Sequence, residues 1–308
     1  MRCSIFKIMV FTMMVVALAA LQGSLLWSAP IQITTAPATD EDPSWSPDGS
    51  QIAFTSSRGG IADIWVIPAA GGFATRITTD PGFEAESSFS PDGSQIAFSS
   101  GQSGNIDIWV IPATGGTATR ITQDPANDLN PSWSPDGSQI AFASKRTGGY
   151  DIWVIPAGGG TATRIAPHPA GGSGPAWSPD GSQIAFHSVR SGNSDIWVVP
   201  AGGGTATQIT TDQAVDSHPS WSPDGSQIAF MSDRSGNYDI WLIPSTGGTA
   251  ERVTFDTGVD GFPAWSPGGI LLAFSSNRSG NFDIWVLCVG GPSATESSTW
   301  GRIKSIYR

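Results

Sequence analysis

The strongest constraint in this chain is a period. The Ser that opens the turn "SPDG" falls at Ser46, Ser90, Ser134, Ser178 and Ser222, and at Ser266 in the variant "SPGG", always 44 residues apart. The Asp of "DIW" keeps the same interval, at Asp63, Asp107, Asp151, Asp195, Asp239 and Asp283. A fixed period this long marks stacked supersecondary units, and about 40–45 residues suits one four-stranded propeller blade. The interior of a repeat agrees. "PSWS" is a short segment ended by Ser46-Pro47-Asp48-Gly49, a type I turn with Pro at its second position and Gly at its fourth. "QIAFTSS" reads as a strand, Arg58-Gly59-Gly60 as a turn, "ADIWVIP" as a third strand, Gly71-Gly72 as a turn and "ATRITT" as a fourth strand. Apolar residues stand on both faces of the third strand, as a blade held between two neighbours requires. The predicted fold is all-β: a six-bladed β-propeller of four-stranded antiparallel blades.

Closure is expected from the N-terminus. "QIT" at Gln32–Thr34 lies 44 residues before "RIT" at Arg76–Thr78, so it is a fourth strand without its own first three. The phase expected for a fourth strand after Asp283 holds "TESS", a poor strand former. Residues 31–35 are therefore expected to pair with the strand at 283–288, which removes the open edges of a linear array.

The ends differ from the repeats. Arg2 and Lys7 precede an apolar run from Ile8 to Leu21 that ends in the small-residue stretch Ala17-Leu18-Ala19, the layout of a secretory signal peptide. Residues 1–29 are read as signal peptide and short leader, 30–290 as the propeller, and 291–308 as a poorly structured tail, disordered or loosely docked. Cleavage would leave Cys288 as the single cysteine, so no intrachain disulfide is expected in an oxidising compartment. It would also move the net charge from −11 to −13. A nucleic-acid partner, which needs a basic surface, is excluded on that ground, and no membrane span is expected after cleavage.

The tandem "PSWSPDGSQIAF…DIWVIP…GG.ATRIT" resembles the WD40-like repeat of the TolB C-terminal propeller over about residues 31–290. The resemblance implies a periplasmic, non-enzymatic six-bladed propeller that docks envelope proteins. Similar repeats occur in propellers of prolyl-oligopeptidase-like peptidases, whose chemistry belongs to another domain.

Comparison of the six copies separates two faces. The loops joining strands one to two and three to four repeat almost unchanged, whereas the connections between blades vary, as in "TDPGFEAESSF" and "PHPAGGSGPAW". Varied loops on one face are where a propeller binds. Within them one position reads Asp40, Glu84, Asp128, Gly172, Asp216 and Asp260, and an earlier one adds Asp80, Asp124, Asp212 and Asp256, with His168 in repeat four. Two readings stand: an electronegative channel mouth that takes a cation or a basic partner segment, or turn residues capping loop amides. His168 and His218 join the acidic positions as binding candidates. Arg58, Arg146, Arg190, Arg234 and Arg278 each stand five residues before the "DIW" Asp and read as braces of that hairpin; repeat two has Gln102. The eleven Trp residues of the repeats read as inter-blade packing, with Phe89 in the same slot.

No Gly-x-Ser-x-Gly elbow, His-x-x-x-His pair, phosphate loop or calcium loop is present, and His168, His187 and His218 occupy different phases. The expectation is a non-catalytic, monomeric protein-interaction scaffold of the cell envelope without metal or cofactor, binding a basic or cation-bridged envelope protein. The alternative is a hydrolase or lyase acting on sugars or polymers at the channel mouth.

Overall fold

The computed structural model describes residues 29–289; the leader up to residue 28 and the tail from residue 290 lie outside the described residues. The "SPDG" turn shows why one segment recurs in every blade. In blade one the Gly49 amide donates to the Ser46 carbonyl at 2.9 Å, closing the expected type I turn. Gly49 then takes a φ of +70°, a conformation that costs glycine nothing. Asp48 accepts from the Ser46 hydroxyl at 2.6 Å and from the Ser50 amide at 3.0 Å, while Ser46 Oγ accepts from the Gln51 amide at 2.9 Å. These bonds hold the Asp48 carboxyl at about 2, below its usual range. A Cβ on each turn glycine would rest against the Pro of the preceding blade's turn, Gly93 on Pro47 and, across the seam, Gly49 on Pro267. The dozen repeated residues thus build both the turn and its contact with the neighbouring blade.

Six antiparallel sheets of four strands result. Blade one runs Asp40–Trp45, Gln51–Ser56, Asp63–Pro68 and Thr75–Arg76. Blade six takes its outermost strand from the N-terminus: Ile31 pairs with Val286 and Gln32 with Trp285. The expected closure is therefore present. The two-sided burial is present too, with Ile64, Val66 and Ile67 all buried.

Each apolar cluster lies between two blades. Ala53, Ile64 and Val66 of blade one pack against Phe89, Ile96, Phe98 and Ile111 of blade two. At the closing seam Ile33, Ile284 and Val286 pack on Trp45, Ile52 and Phe54. One phenylalanine per blade, from Phe54 to Phe274, is fully buried. Burying such a side chain contributes about 1.5–3 kcal/mol.

The innermost strand starts earlier than "PSWS" suggests. It begins at Asp40 and carries a β-bulge between Glu41 and Ser44, a register shift that recurs in all six blades. The bulge sets which side chains enter the blade and which enter the axis.

Candidate functional site: the axial cavity

The acidic positions read as a channel mouth are inside the blades. Asp40, Glu84, Asp128, Asp216 and Asp260 are each the first residue of an innermost strand, and each is 0% exposed. Four have a guanidinium partner eighteen residues on: Arg58 at 2.5 Å from Asp40, Arg146 at 2.8 Å from Asp128, Arg234 at 2.7 Å from Asp216 and Arg278 at 2.6 Å from Asp260. Each of these arginines lies over the buried Phe and the "DIW" Trp of its own blade, as Arg58 does at 5.2 Å from Phe54 and 5.0 Å from Trp65. Burial raises the four aspartates above their usual range, and the arginine and serine bonds oppose it. Breaking one such pair would strand a buried charge, at a cost of about 3–5 kcal/mol.

The arginines therefore do not brace the "DIW" hairpin. Asp63 instead meets Arg76 of the outermost strand at 2.8 Å, and the same bond joins Asp107 to Arg120 at 2.7 Å, Asp151 to Arg164 at 2.6 Å and Asp239 to Arg252 at 2.8 Å. Two blades substitute an amide: Gln208 donates to Asp195 at 3.0 Å and Gln32 to Asp283 at 2.9 Å. In blades two to six the hairpin is held by a Ser or Thr hydroxyl, as in the 2.6 Å bond from Ser279 to Asp283; blade one has Gly59 there.

Three of the four earlier acidic positions are turn caps. Asp124 accepts from the Ala126 amide at 2.9 Å, Asp212 from Ala214 at 3.0 Å and Asp256 from Gly258 at 2.9 Å. His168 sits in the blade-four loop, its amide donating to Asp151 and its Nδ1 accepting from the Ala170 amide at 3.1 Å.

The side chains that do reach the axis stand two residues after the buried acids. Asp42, Glu86, Asn130, Gly174, His218 and Phe262 together line an axial cavity of about 130 Å³. No two of the six are the same residue, although the next residue is Pro in five copies and the one after it is Ser or Ala in all six. Five of them are non-glycine residues at positive φ, from 52° at His218 to 60° at Glu86. Such a conformation is uncommon for any side chain and an outlier for one as bulky as Phe262. Backbone held this way collects at functional sites, where the surrounding structure over-determines it. Of the sequence-predicted site residues, His218 alone lies in this ring.

Hydrogen bonds run from blade to blade around the cavity. The Glu86 amide donates to Thr55 Oγ1 at 3.2 Å. The Glu86 carboxylate accepts from Ser99 Oγ and from the Asn130 amide, both at 2.7 Å. Ser173 Oγ donates to Asn130 Oδ1 at 2.9 Å. His187, on the second strand of blade four, occupies the space over Gly174, where a Cβ would come within 2.9 Å of its Nδ1. Its ring centre is 5.2 Å from that of His218, which in turn meets Phe262 edge-on at 4.4 Å. The result is lopsided, with carboxyls, amide and hydroxyls from blades one to three facing imidazoles and an aromatic ring from blades four to six.

Burial sets the protonation of this ring. Asp42 is pushed well above the carboxylate range, by desolvation first and then by the charges of Glu86 and Glu41. Desolvation raises Glu86 as well. It lowers His187 to about 4, and desolvation with the neighbouring His187 lowers His218 to about 3. At neutral pH the imidazoles are uncharged, and the two carboxyls hold protons more readily than they would in water. Such groups can donate and accept protons or hydrogen bonds at one small ligand group. Among the described residues no cluster of three or more His, Cys, Asp or Glu is arranged to hold a metal ion.

Comparisons with known proteins agree with the fold and divide on activity. The TolB β-propeller domain model matches residues 166–291, and the Tricorn protease N-terminal β-propeller model matches 61–150 and 107–194. No curated protein matches. A protein assigned as TolB from Agrobacterium tumefaciens is 26% identical, with a TM-score of 0.70 over 84% of this chain and 93% of that one. TolB from Acinetobacter baumannii is 22% identical, with a TM-score of 0.63 over 82% of this chain and 64% of that one. A gluconolactonase from Xanthomonas campestris is 14% identical, with a TM-score of 0.66 over 88% and 92%. The propeller is thus TolB-like in sequence and architecture, and enzymes share the architecture.

Proposed function

We propose that this TolB-like propeller is an exported, periplasmic and non-catalytic binding module of the cell envelope. Its protein partner docks on the face of the varied connections, at the mouth of the axial cavity. The observation that carries this reading is the ring itself. Six repeats that share one strand-and-turn framework present six different residues to one shared space, on a backbone that five of them hold at positive φ. A scaffold has no use for that divergence; a binding site does. The charge of −11 favours a basic partner, which would be steered to the protein and released by salt.

The test is capture from an envelope extract by the tagged chain, with the captured protein identified by mass spectrometry. Glu86→Gln and Phe262→Asn are the informative changes, because Asn130 already occupies the equivalent backbone conformation in blade three. Capture should fall while the melting temperature stays within a few degrees of the parent. Full capture with unaltered salt dependence in both variants would remove the ring from the interface. Replacing Asp128, Asp216 and Asp260 would not serve, since these carboxylates are buried partners of arginine.

One observation favours a second reading, a hydrolase or lyase acting on sugars or polymers at the same cavity. Two carboxyls raised by burial beside two uncharged imidazoles are the groups that general acid–base chemistry uses. Turnover of oligosaccharides or lactones by the purified chain, abolished by Glu86→Gln, would establish it over the binding reading.

A further inference from the structure

The seam between blades six and one differs from the others on the face of the "SPDG" turns. Where five blades carry serine (Ser50 and its equivalents), blade six carries Ile270; where they carry glutamine, it carries Leu271. The outermost strand there begins with Ile31 in place of the threonine found in blades one to four. The seam between blades two and three has an equivalent groove of about 440 Å³ with Gln95 and Thr119 on its walls, and these exchanges make the groove at the closing seam, about 390 Å³ and lined by Ile31, Ile33, Trp45, Ile270, Leu271 and Val286, the more apolar one. Asp48 borders it, its carboxyl held at about 2 by the turn and therefore ionised. Ala69 and Ala70 close one side, and their turn continues to Phe73, which is 97% exposed where the other full turns carry threonine. The scaffold does not need these apolar residues, since four of the other five seams carry serine, glutamine and threonine at the same positions.

The chain itself supplies an occupant. The Val289 amide donates to the Ile270 carbonyl at 2.8 Å and Leu271 pairs with Cys288, so the nineteen residues from Gly290 onward set out from the wall of the groove. They carry Trp300, Ile303, Ile306 and Tyr307 among the basic Arg302, Lys304 and Arg308, with Glu296 the one acid. The ten residues before Trp300 can span up to about 33 Å, enough to reach any part of the groove. The residues just before the clasp, Leu21 to Pro30, are apolar too but have no charge to meet Asp48.

We propose that Trp300–Tyr307 folds back into this groove as a latch over the closing seam. Its apolar side chains cover Ile31, Ile270 and Leu271, and a basic side chain lies against Asp48. The latch would reinforce the one blade whose outermost strand arrives from the far end of the chain.

Hydrogen exchange on the mature chain, read by mass spectrometry at a concentration where it is monomeric, tests this. Amides 300–307 should exchange at least about tenfold more slowly than in the free peptide of the same sequence. The double variant Ile270→Ser, Leu271→Gln installs residues that five blades already tolerate, so it should fold and bring that exchange back to the free-peptide rate. Asp48→Asn should weaken the protection and flatten its dependence on salt. Free-peptide exchange in the parent, or protection that survives the double variant, would overturn the latch. So would protection that grows with protein concentration, which assigns the groove to a second copy, or protection of residues 21–28 in place of 300–307.

Discussion

Removing residues up to Thr34 tests how the ring is closed, and the structure supplies the magnitude. The segment pairs Ile31 with Val286 and Gln32 with Trp285, and the Ile33 amide donates to the Ile284 carbonyl at 2.8 Å. Ile33 is 7% exposed, so its side chain alone contributes about 2 kcal/mol, and the half-buried Ile31 about 1 more. Thr34 Oγ1 accepts from the Ile284 amide at 2.9 Å, and Gln32 donates to Asp283, itself 1% exposed. Losing these partners leaves a buried amide and a buried carboxylate short of bonds, at about 1–3 kcal/mol each. The sum is about 5 kcal/mol or somewhat more, a large part of what stabilises a typical domain. At about 2–4 °C per kcal/mol for a chain of this size, the melting temperature should fall by about 10–20 °C. Calorimetry of a chain starting at residue 29 against one starting at residue 35 measures it, with size-exclusion chromatography to detect association through the uncovered edge. A milder partner is Thr34→Val, which keeps the shape, removes the hydroxyl and should cost about 1–2 kcal/mol. A truncation that melts within two or three degrees of the parent, as a monomer, would refute the clasp as the device that closes the ring.

Two further outcomes follow from ionisation. His187 and His218 are held at about 4 and about 3 against an ordinary 6.5, so they give stability that is lost as pH falls below 6.5. Replacing them with the residues of other blades, His187→Ser and His218→Asn, should remove that loss. Between pH 7 and pH 5 the parent should lose about 4 kcal/mol relative to the double variant in urea titrations, and parallel pH profiles would contradict the assignment. Glu84, raised to about 7 by burial, has Gln102 where other blades have arginine. Its ionisation costs stability as pH rises from 4.5 through 7, so Gln102→Arg should stabilise the protein by about 1–3 kcal/mol at pH 8 and little at pH 5. An equal effect at both pH values would show that the new arginine does not meet Glu84.

What the sequence made legible follows from what a period can encode. Turn chemistry, strand order, two-sided burial and the donated N-terminal strand all depend on phase alone, and all were readable from it. The site was not, because the bulge at the start of each innermost strand changes which residue faces the axis without changing the period. Counting along the loop placed Asp40 and its equivalents at the mouth; the strand instead buries them and turns Asp42 and its equivalents inward. A trace of this was available. Five of the six ring residues stand directly before a proline, and no two of the six are alike. The arginine partners also left a trace. Repeat two alone changes Asp to Glu at the buried position and Arg to Gln eighteen residues on. Paired departures in a single blade tie the two positions together, and they point from the buried acid to the position eighteen residues on rather than to Asp107. Blade four is the converse: Gly172 removes the acid and Arg190 stays, its guanidinium stacked on Phe186 and Trp197. The meeting of His187 with His218 had no such signal. It joins two phases across two blades, and only the closed ring brings them together. The same separation explains why the scaffold is easy to read here and the ligand is not. The repeats record what every blade shares, whereas the cavity is made of a position at which all six differ.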